Sequence, residues 1–142
     1  MSYSDRMNSD FSKGFWLAGA YNVFGMLVFS KFLTNPVLAA VDPNVFSWLG
    51  QVAIILWGLA YWSVAKSYRH VPLLVIVFAI EKLVYSLTWL AWLLAKGSTI
   101  PAIAAESPLS AMFFAVYGAG DFAFFLFFAW AAWVSTVRKS SK

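Results

Sequence analysis

Four long apolar stretches, separated by short polar segments, make up most of the chain. They cover approximately residues 11–33, 45–65, 72–95 and 109–137. Each has at least about 20 residues, which is enough for a helix to cross a hydrocarbon core of about 30 Å. None alternates apolar and polar positions with the period of two that a membrane β-strand needs. The pattern therefore predicts an all-α protein, a four-helix transmembrane bundle formed by a single integral membrane domain over residues 1–142.

The short connections carry signals that begin and end helices. Asp42-Pro43 and Ser107-Pro108 each combine a side-chain oxygen that can cap a helix with a proline at the first helical position. Gly97 follows the third stretch and predicts a left-handed C-terminal cap. Because the connections are short, consecutive helices are predicted to be antiparallel, in an up-down-up-down arrangement.

Composition supports a membrane protein. Of the 142 residues, 62% are apolar and only 11% are charged, whereas a soluble domain carries about a quarter charged residues. The net charge of +4 comes from cations that flank apolar runs, a distribution typical of membrane proteins, and we expect no nucleic-acid partner. The absence of cysteine excludes disulfides and thiolate metal sites, and the sequence predicts neither a metal nor a cofactor.

The distribution of lysine and arginine predicts the orientation. One side of the predicted bundle holds Arg6, Lys13, Lys66, Arg69, Arg138, Lys139 and Lys142, and the other side holds Lys31 and Lys96. Cations are enriched in the cytoplasmic loops of membrane proteins. We therefore expect a multi-pass protein of a bacterial-type inner membrane, with both termini in the cytoplasm.

Polar residues near the middle of the predicted spans are the candidate functional residues, because charged groups at this depth are costly. The predicted ligand- or proton-binding residues are Asn22, Glu81, Lys82, Tyr85 and Asp121, with Gln51, Tyr61 and Tyr117 as secondary candidates. The main alternative is that the same residues form a structural network, which only sets the order of the helices.

Helical geometry predicts how the charges pair. Neighbouring residues on a helix diverge by about 100°, so Glu81 and Lys82 point in different directions. We predict that the third and fourth helices meet across this pair and the face from Gly118 to Asp121. Asp121 then compensates Lys82. We predict that Glu81 is the titrating group and that it stays protonated or holds a ligand, because two ionised acids and one lysine would leave one bare negative charge in a low-dielectric centre.

Several short motifs resemble those of a broad group of small, four-helix bacterial inner-membrane proteins, most of them without an assigned activity. The motifs are Tyr21-Asn22 with Gly25, Gly50 and Gly58 followed by Tyr61-Trp62, then His70-Val71-Pro72, Lys82 and Gly120-Asp121. The resemblance covers nearly the whole chain. It implies the fold and the location, and it implies no activity and no site residue.

Three functions fit these residues. The first is the binding or transport of a small ligand or ion through the polar midplane centre, with proton-linked transport as its most concrete form. The second is a membrane enzyme that acts on a lipid or an isoprenoid, with Glu81 or Asp121 as acid or base. The third is an accessory subunit of a larger membrane complex. Membrane lipids are expected partners in all three, and we expect a homo-oligomer or a larger complex.

Overall fold

The computed structural model describes residues 2–140, and the side chains as far as residue 137. Within this range the chain forms helices and turns without any strand, so the all-α prediction is confirmed. The α-helices are α1 (Tyr3–Phe29), α2 (Pro36–Val41), α3 (Pro43–Phe46), α4 (Trp48–Val64), α5 (Pro72–Lys96), α6 (Ile100–Glu106) and α7 (Pro108–Ser140). Single 3₁₀ turns, Tyr68–His70 and Gly97–Thr99, precede α5 and α6.

The four long helices α1, α4, α5 and α7 pack side by side. The closest pairs are α1 with α4 and α5 with α7, while α1 lies less closely against α7. The side-chain bonds that join the close pairs run from Trp62 to Trp16, Asn22 to Ile54, Lys82 to Asp121, Ser86 to Gly118, and Trp89 to Phe114. In each pair the residue numbers rise on one helix as they fall on the other, so the paired helices are antiparallel.

Helix α1 and the first apolar stretch, 11–33, do not coincide. The helix begins at Tyr3 because Ser2 and Asp5 form a capping box, in which the Ser2 hydroxyl accepts from the Asp5 N–H at 3.2 Å and the Ser2 N–H donates to the carboxylate at 3.1 Å. It ends at Phe29 because residues 31–33 have left-handed φ angles of 50° to 67°.

The second apolar stretch, 45–65, is not one continuous helix. Ser47 leaves the helical conformation between α3 and α4, and its hydroxyl accepts from the Gly50 N–H at 3.2 Å. Helix α4 alone has 17 residues, whereas α3 and α4 together extend from Pro43 to Val64. The break follows from local capping by serine, which offers the backbone an alternative to the continuous helix.

The caps predicted at two prolines are present, and the one predicted at Gly97 is not. Asp42 accepts from the Val45 N–H at 3.3 Å, and Ser107 accepts from the Ser110 N–H at 3.3 Å. Gly97 has a right-handed φ of −57°, so the prediction of a left-handed cap is wrong. The chain instead continues through a 3₁₀ turn into α6, and the Thr99 hydroxyl donates to the Lys96 carbonyl at 2.6 Å.

Two segments of the described chain are long and apolar enough to cross a membrane, Pro72–Glu106 and Pro108–Val137. Trp48–Val64 is apolar but shorter. Four of the cations that the sequence assigns to one side are described: Arg6, Lys13, Lys66 and Arg69. The start of α1 contacts the segment between α4 and α5 through Phe11 and Tyr68, so these four lie toward the same end of the helix assembly. The side chains of Arg138, Lys139 and Lys142 lie outside the described part of the chain.

Two apolar clusters hold the helices together, one at each end. At the end where the chain begins, the fully buried rings of Phe15, Tyr61, Phe78 and Phe128 form what we call the aromatic layer. Their ring centroids lie 4.8–5.5 Å apart in successive contacts. At the other end, α2, α3 and α6 pack over α7 and contribute Leu38, Phe46 and Ile103 to a second cluster. The polar residues lie between the two clusters.

Candidate functional site

Lys82 is the centre of the site. It is only 1% exposed, and its ammonium donates to Asp121 Oδ1 at 2.7 Å and to Asn22 Oδ1 at 2.6 Å. The Asn22 amide nitrogen donates to the Ile54 carbonyl at 3.0 Å, which turns the amide oxygen toward Lys82. The predicted pairing of Lys82 with Asp121 is therefore present, and one ammonium group joins α1, α5 and α7.

Aromatic rings complete the surroundings of the ammonium. The nitrogen lies 5.2 Å from the ring centre of Tyr21, 5.5 Å from that of Tyr61 and 5.8 Å from that of Phe124. The faces of such rings attract cations. Tyr21 is itself held by a 2.5 Å bond from its hydroxyl to the Tyr117 carbonyl on α7. The rings and Asp121 together surround the ammonium group of Lys82.

Glu81 occupies a separate position beside Lys82. The Tyr61 hydroxyl donates to Glu81 Oε2, and within the described part of the chain this is the only hydrogen bond of the Glu81 side chain. No ion pair joins Glu81 to a described cation within 4.0 Å. The two acids therefore have different partners: Asp121 pairs with the Lys82 ammonium, and Glu81 accepts a hydrogen bond from Tyr61. This is the arrangement that the divergence of about 100° between Glu81 and Lys82 on α5 predicts.

A cavity of about 400 Å³ reaches both carboxylates. It extends from the polar residues toward the end covered by α2, α3 and α6, and most of its wall is apolar or aromatic. The lining residues are Tyr21, Asn22, Gly25, Met26, Phe29, Phe46, Ile54, Glu81, Lys82, Tyr85, Phe113, Val116, Tyr117, Ala119, Gly120 and Asp121. Val116 and Ala119 are exposed on the outer surface of α7, so the cavity opens sideways along this helix.

The cavity continues beside Gly25, where a Cβ atom built on the glycine meets nothing within 4 Å. In the opposite direction the cavity stops at the aromatic layer, where Tyr61, Phe78 and Phe128 are fully buried. In this conformation the aromatic layer separates the carboxylates from the end of the assembly where the chain begins.

The structure brings together most of the residues predicted from the sequence. Tyr85 and Tyr117 line the cavity together with Asn22, Glu81, Lys82 and Asp121. The Tyr117 hydroxyl is buried without a hydrogen-bond partner among the described residues. Gln51 lies elsewhere: its amide donates to the Phe46 carbonyl at 2.8 Å and secures the junction of α3 and α4. The sequence prediction missed Tyr21, although it directly precedes Asn22.

No model of a known protein family, no curated protein and no solved structure matches this chain. Lys82 uses two of its three N–H donors. Asp121 and Glu81 both line the cavity, and each keeps one carboxylate oxygen that receives no hydrogen bond from a described residue. Within the described range, no cluster of three metal-ligating side chains occurs.

Proposed function

We propose that the chain is an integral membrane protein whose four long helices cross the bilayer, and that its N- and C-termini both lie in the cytoplasm. In the two longest apolar segments, only 28% and 39% of the most apolar window is buried inside the protein, whereas the core helix of a soluble protein is mostly buried. Large apolar side chains such as Leu17, Leu56, Leu87 and Leu126 are exposed on α1, α4, α5 and α7. Lipid would cover these surfaces.

In this proposal the protein binds a small, largely apolar molecule that enters from the bilayer. The observation that carries the proposal is the apolar cavity of about 400 Å³ that opens along α7 and reaches Glu81 and Asp121. This volume lies in the range of about 300–1,000 Å³ that is typical of small-molecule sites. The free carboxylate oxygens accept hydrogen bonds, so the ligand carries a donor group.

The balance of charge favours a protonated amine as that donor. Glu81 and Asp121 face a single ammonium, that of Lys82, which leaves one formal negative charge when both acids are ionised. An uncompensated charge in a low-dielectric centre is costly, and an amine removes this cost by pairing with Glu81. The walls include the rings of Tyr21, Phe113 and Tyr117, which attract a cation. In the empty site a proton on Glu81 has the same effect, so binding is linked to proton release.

Transport is an extension of this function that needs a second conformation. A translocation path would have to pass the aromatic layer, which closes one end of the cavity. Binding needs no such movement, and it is the function that the geometry supports best.

A membrane enzyme that acts on a lipid or an isoprenoid is the second candidate. The observation that favours it is a carboxyl group, Glu81, that is hydrogen-bonded by Tyr61 and borders an apolar cavity. A carboxyl group in such surroundings can act as a general acid or base on an apolar substrate.

A variant that fills the cavity tests the binding function. Gly25→Leu places a side chain in open space, and Val28→Leu is the matched control because Val28 is exposed on the same helix. Octylamine and 1-octanol, which differ only in the polar group, serve as probes for calorimetry on the protein in nanodiscs. We expect octylamine to bind more tightly, and Gly25→Leu to weaken its binding at least about tenfold while Val28→Leu does not.

Glu81→Gln tests whether Glu81 is the group that pairs with the amine. Under the binding proposal, this variant stays folded and loses the preference for octylamine over 1-octanol. Equal octylamine binding by Gly25→Leu and the native chain would contradict the cavity as the ligand site and would favour the accessory-subunit function.

A further inference from the structure

A second cavity, of about 810 Å³, lies at the end of the assembly where the chain begins. It is separated from the first by the aromatic layer. Its walls come from the start of α1, from the segment between α4 and α5, and from the last turns of α7. The lining residues are Ser4, Asn8, Ser9, Ser12, Ala65, Lys66, Tyr68, Arg69, His70 and Ser135.

The lining of this cavity is cationic and rich in hydroxyl groups. Lys66 and Arg69 contribute positive charge, and none of the described lining residues is acidic. The acids of α1 are bound elsewhere: Asp5 is bonded to Ser2, and Asp10 pairs with Lys13 at 3.1 Å. Hydroxyl groups and cations without a competing carboxylate are the groups that bind an anion.

The Arg69 side chain is held in place with part of its donor capacity unused. Its Nε donates to the Tyr68 hydroxyl at 3.2 Å, and its guanidinium carbon lies 5.8 Å from the Tyr68 ring centre. The Tyr68 hydroxyl in turn donates to Asn8 at 3.5 Å, which joins the arginine to α1. The Nη2 nitrogen is buried without a hydrogen-bond partner among the described residues. A buried donor without an acceptor is costly, and an anion next to it would remove that cost.

We propose that this second cavity binds a phosphate group through Arg69, Lys66 and the serine hydroxyls of α1. The planar guanidinium matches two phosphate oxygens, while the lysine supplies a point charge. In the proposed membrane orientation this end lies at the level of the cytoplasmic headgroups. The phosphate therefore belongs either to an anionic lipid or to a soluble molecule, and the chemistry of recognition is the same for both.

The test uses the full chain in maltoside micelles, which contain no phosphate. One arm measures the binding of inorganic phosphate, and chloride at the same ionic strength is the reference. The other compares phosphatidylglycerol with diacylglycerol of the same acyl chains, and native mass spectrometry counts the lipid that is retained. The variants are Arg69→Gln and Lys66→Gln, and Arg6→Gln is the control because Arg6 is exposed near the same end but does not line the cavity.

We expect Arg69→Gln to weaken phosphate-dependent binding at least about tenfold, Lys66→Gln to weaken it less, and Arg6→Gln to leave it unchanged. If the protein binds phosphatidylglycerol but not inorganic phosphate, the ligand is a lipid headgroup. If it binds inorganic phosphate, the ligand is a soluble molecule. If Arg69→Gln fails to fold, loss of binding in folded Lys66→Gln supports the site, and unchanged binding in that variant contradicts it. Binding in neither arm, or an equal loss in Arg6→Gln, would overturn the proposal.

Discussion

Replacing Asp121 by asparagine tests the pairing at the centre of the site. The substitution keeps the shape of the side chain and removes its charge, so Lys82, at 1% exposure, loses the counter-ion that lies 2.7 Å away. Removing one partner of a buried ion pair costs about 3–5 kcal/mol. Asn22 still accepts from the ammonium at 2.6 Å, and the new amide oxygen can also accept. We therefore expect a loss of about 3 kcal/mol in the free energy of unfolding, at the lower end of this range.

The assay is unfolding in mixed micelles, followed by tryptophan fluorescence. Asp10→Asn is the control, because it breaks the Asp10–Lys13 pair, in which both side chains are 73% exposed, and exposed pairs contribute little. A second variant, Lys82→Met with Asp121→Asn, removes both charges and keeps the length of the lysine stem. It should recover part of the lost stability, because no charge is left buried without a partner, while the Asn22 amide oxygen loses its donor.

Two results would refute this reasoning. If Asp121→Asn unfolds like the native chain, Lys82 does not depend on Asp121 as its counter-ion. If the double variant is as unstable as Asp121→Asn alone, the loss comes from the shape or hydrogen bonding at position 121 and not from a stranded charge.

Three further predictions concern the contact between α5 and α7, the orientation of the chain and the first turn of α1. Gly118→Leu should lower stability by about 1–3 kcal/mol in the same assay, because a Cβ atom there overlaps the Trp89 ring; native stability would show that this face does not meet α5. Reporter fusions after residue 142 and within 97–106 should report the cytoplasm and the opposite side, respectively, and a reversed pattern would overturn the orientation. Hydrogen bonds from the side chain and backbone of Ser2 lower the pKa of Asp5. The capping box therefore stabilises α1 at pH values above the ordinary aspartate pKa of about 3.9, and this stabilisation is lost as the pH falls through the lowered pKa of the folded state. Carboxyl NMR titration should find a higher Asp5 pKa in Ser2→Ala, and an unchanged value would contradict the capping role.

The amino-acid pattern was sufficient for the helical class and for the common level of Asn22, Lys82 and Asp121 along the helices. Helix formation in long apolar stretches depends on local periodicity, which can be counted along the chain. The fixed rise per residue then places Asn22, Lys82 and Asp121 at the same level, and they are in contact in the structure. The divergence of neighbouring side chains on α5 also predicted that Asp121, and not Glu81, pairs with Lys82.

Other features depend on how the helices meet. Gln51 shares a polar stripe with Tyr61, yet it bonds to the carbonyl of Phe46, because α4 begins after a break that the apolar pattern does not show. Tyr21 belongs to the site because the rotation of α1 brings its ring beside Lys82 and its hydroxyl to α7. Such rotations result from the packing of all four helices together.

The cavity is the clearest case of a feature without a local signal. Its volume is the space that side chains from several helices leave unfilled, and Gly25 borders that space only because α1 lies less closely against α7 than against α4. Glycine in a helix can equally mark a close contact, as at Gly58, where a Cβ atom would meet Asn22 and Val23. Periodicity locates both glycines on their helices, whereas the distance between helix axes decides which one borders a cavity and which one a neighbouring backbone.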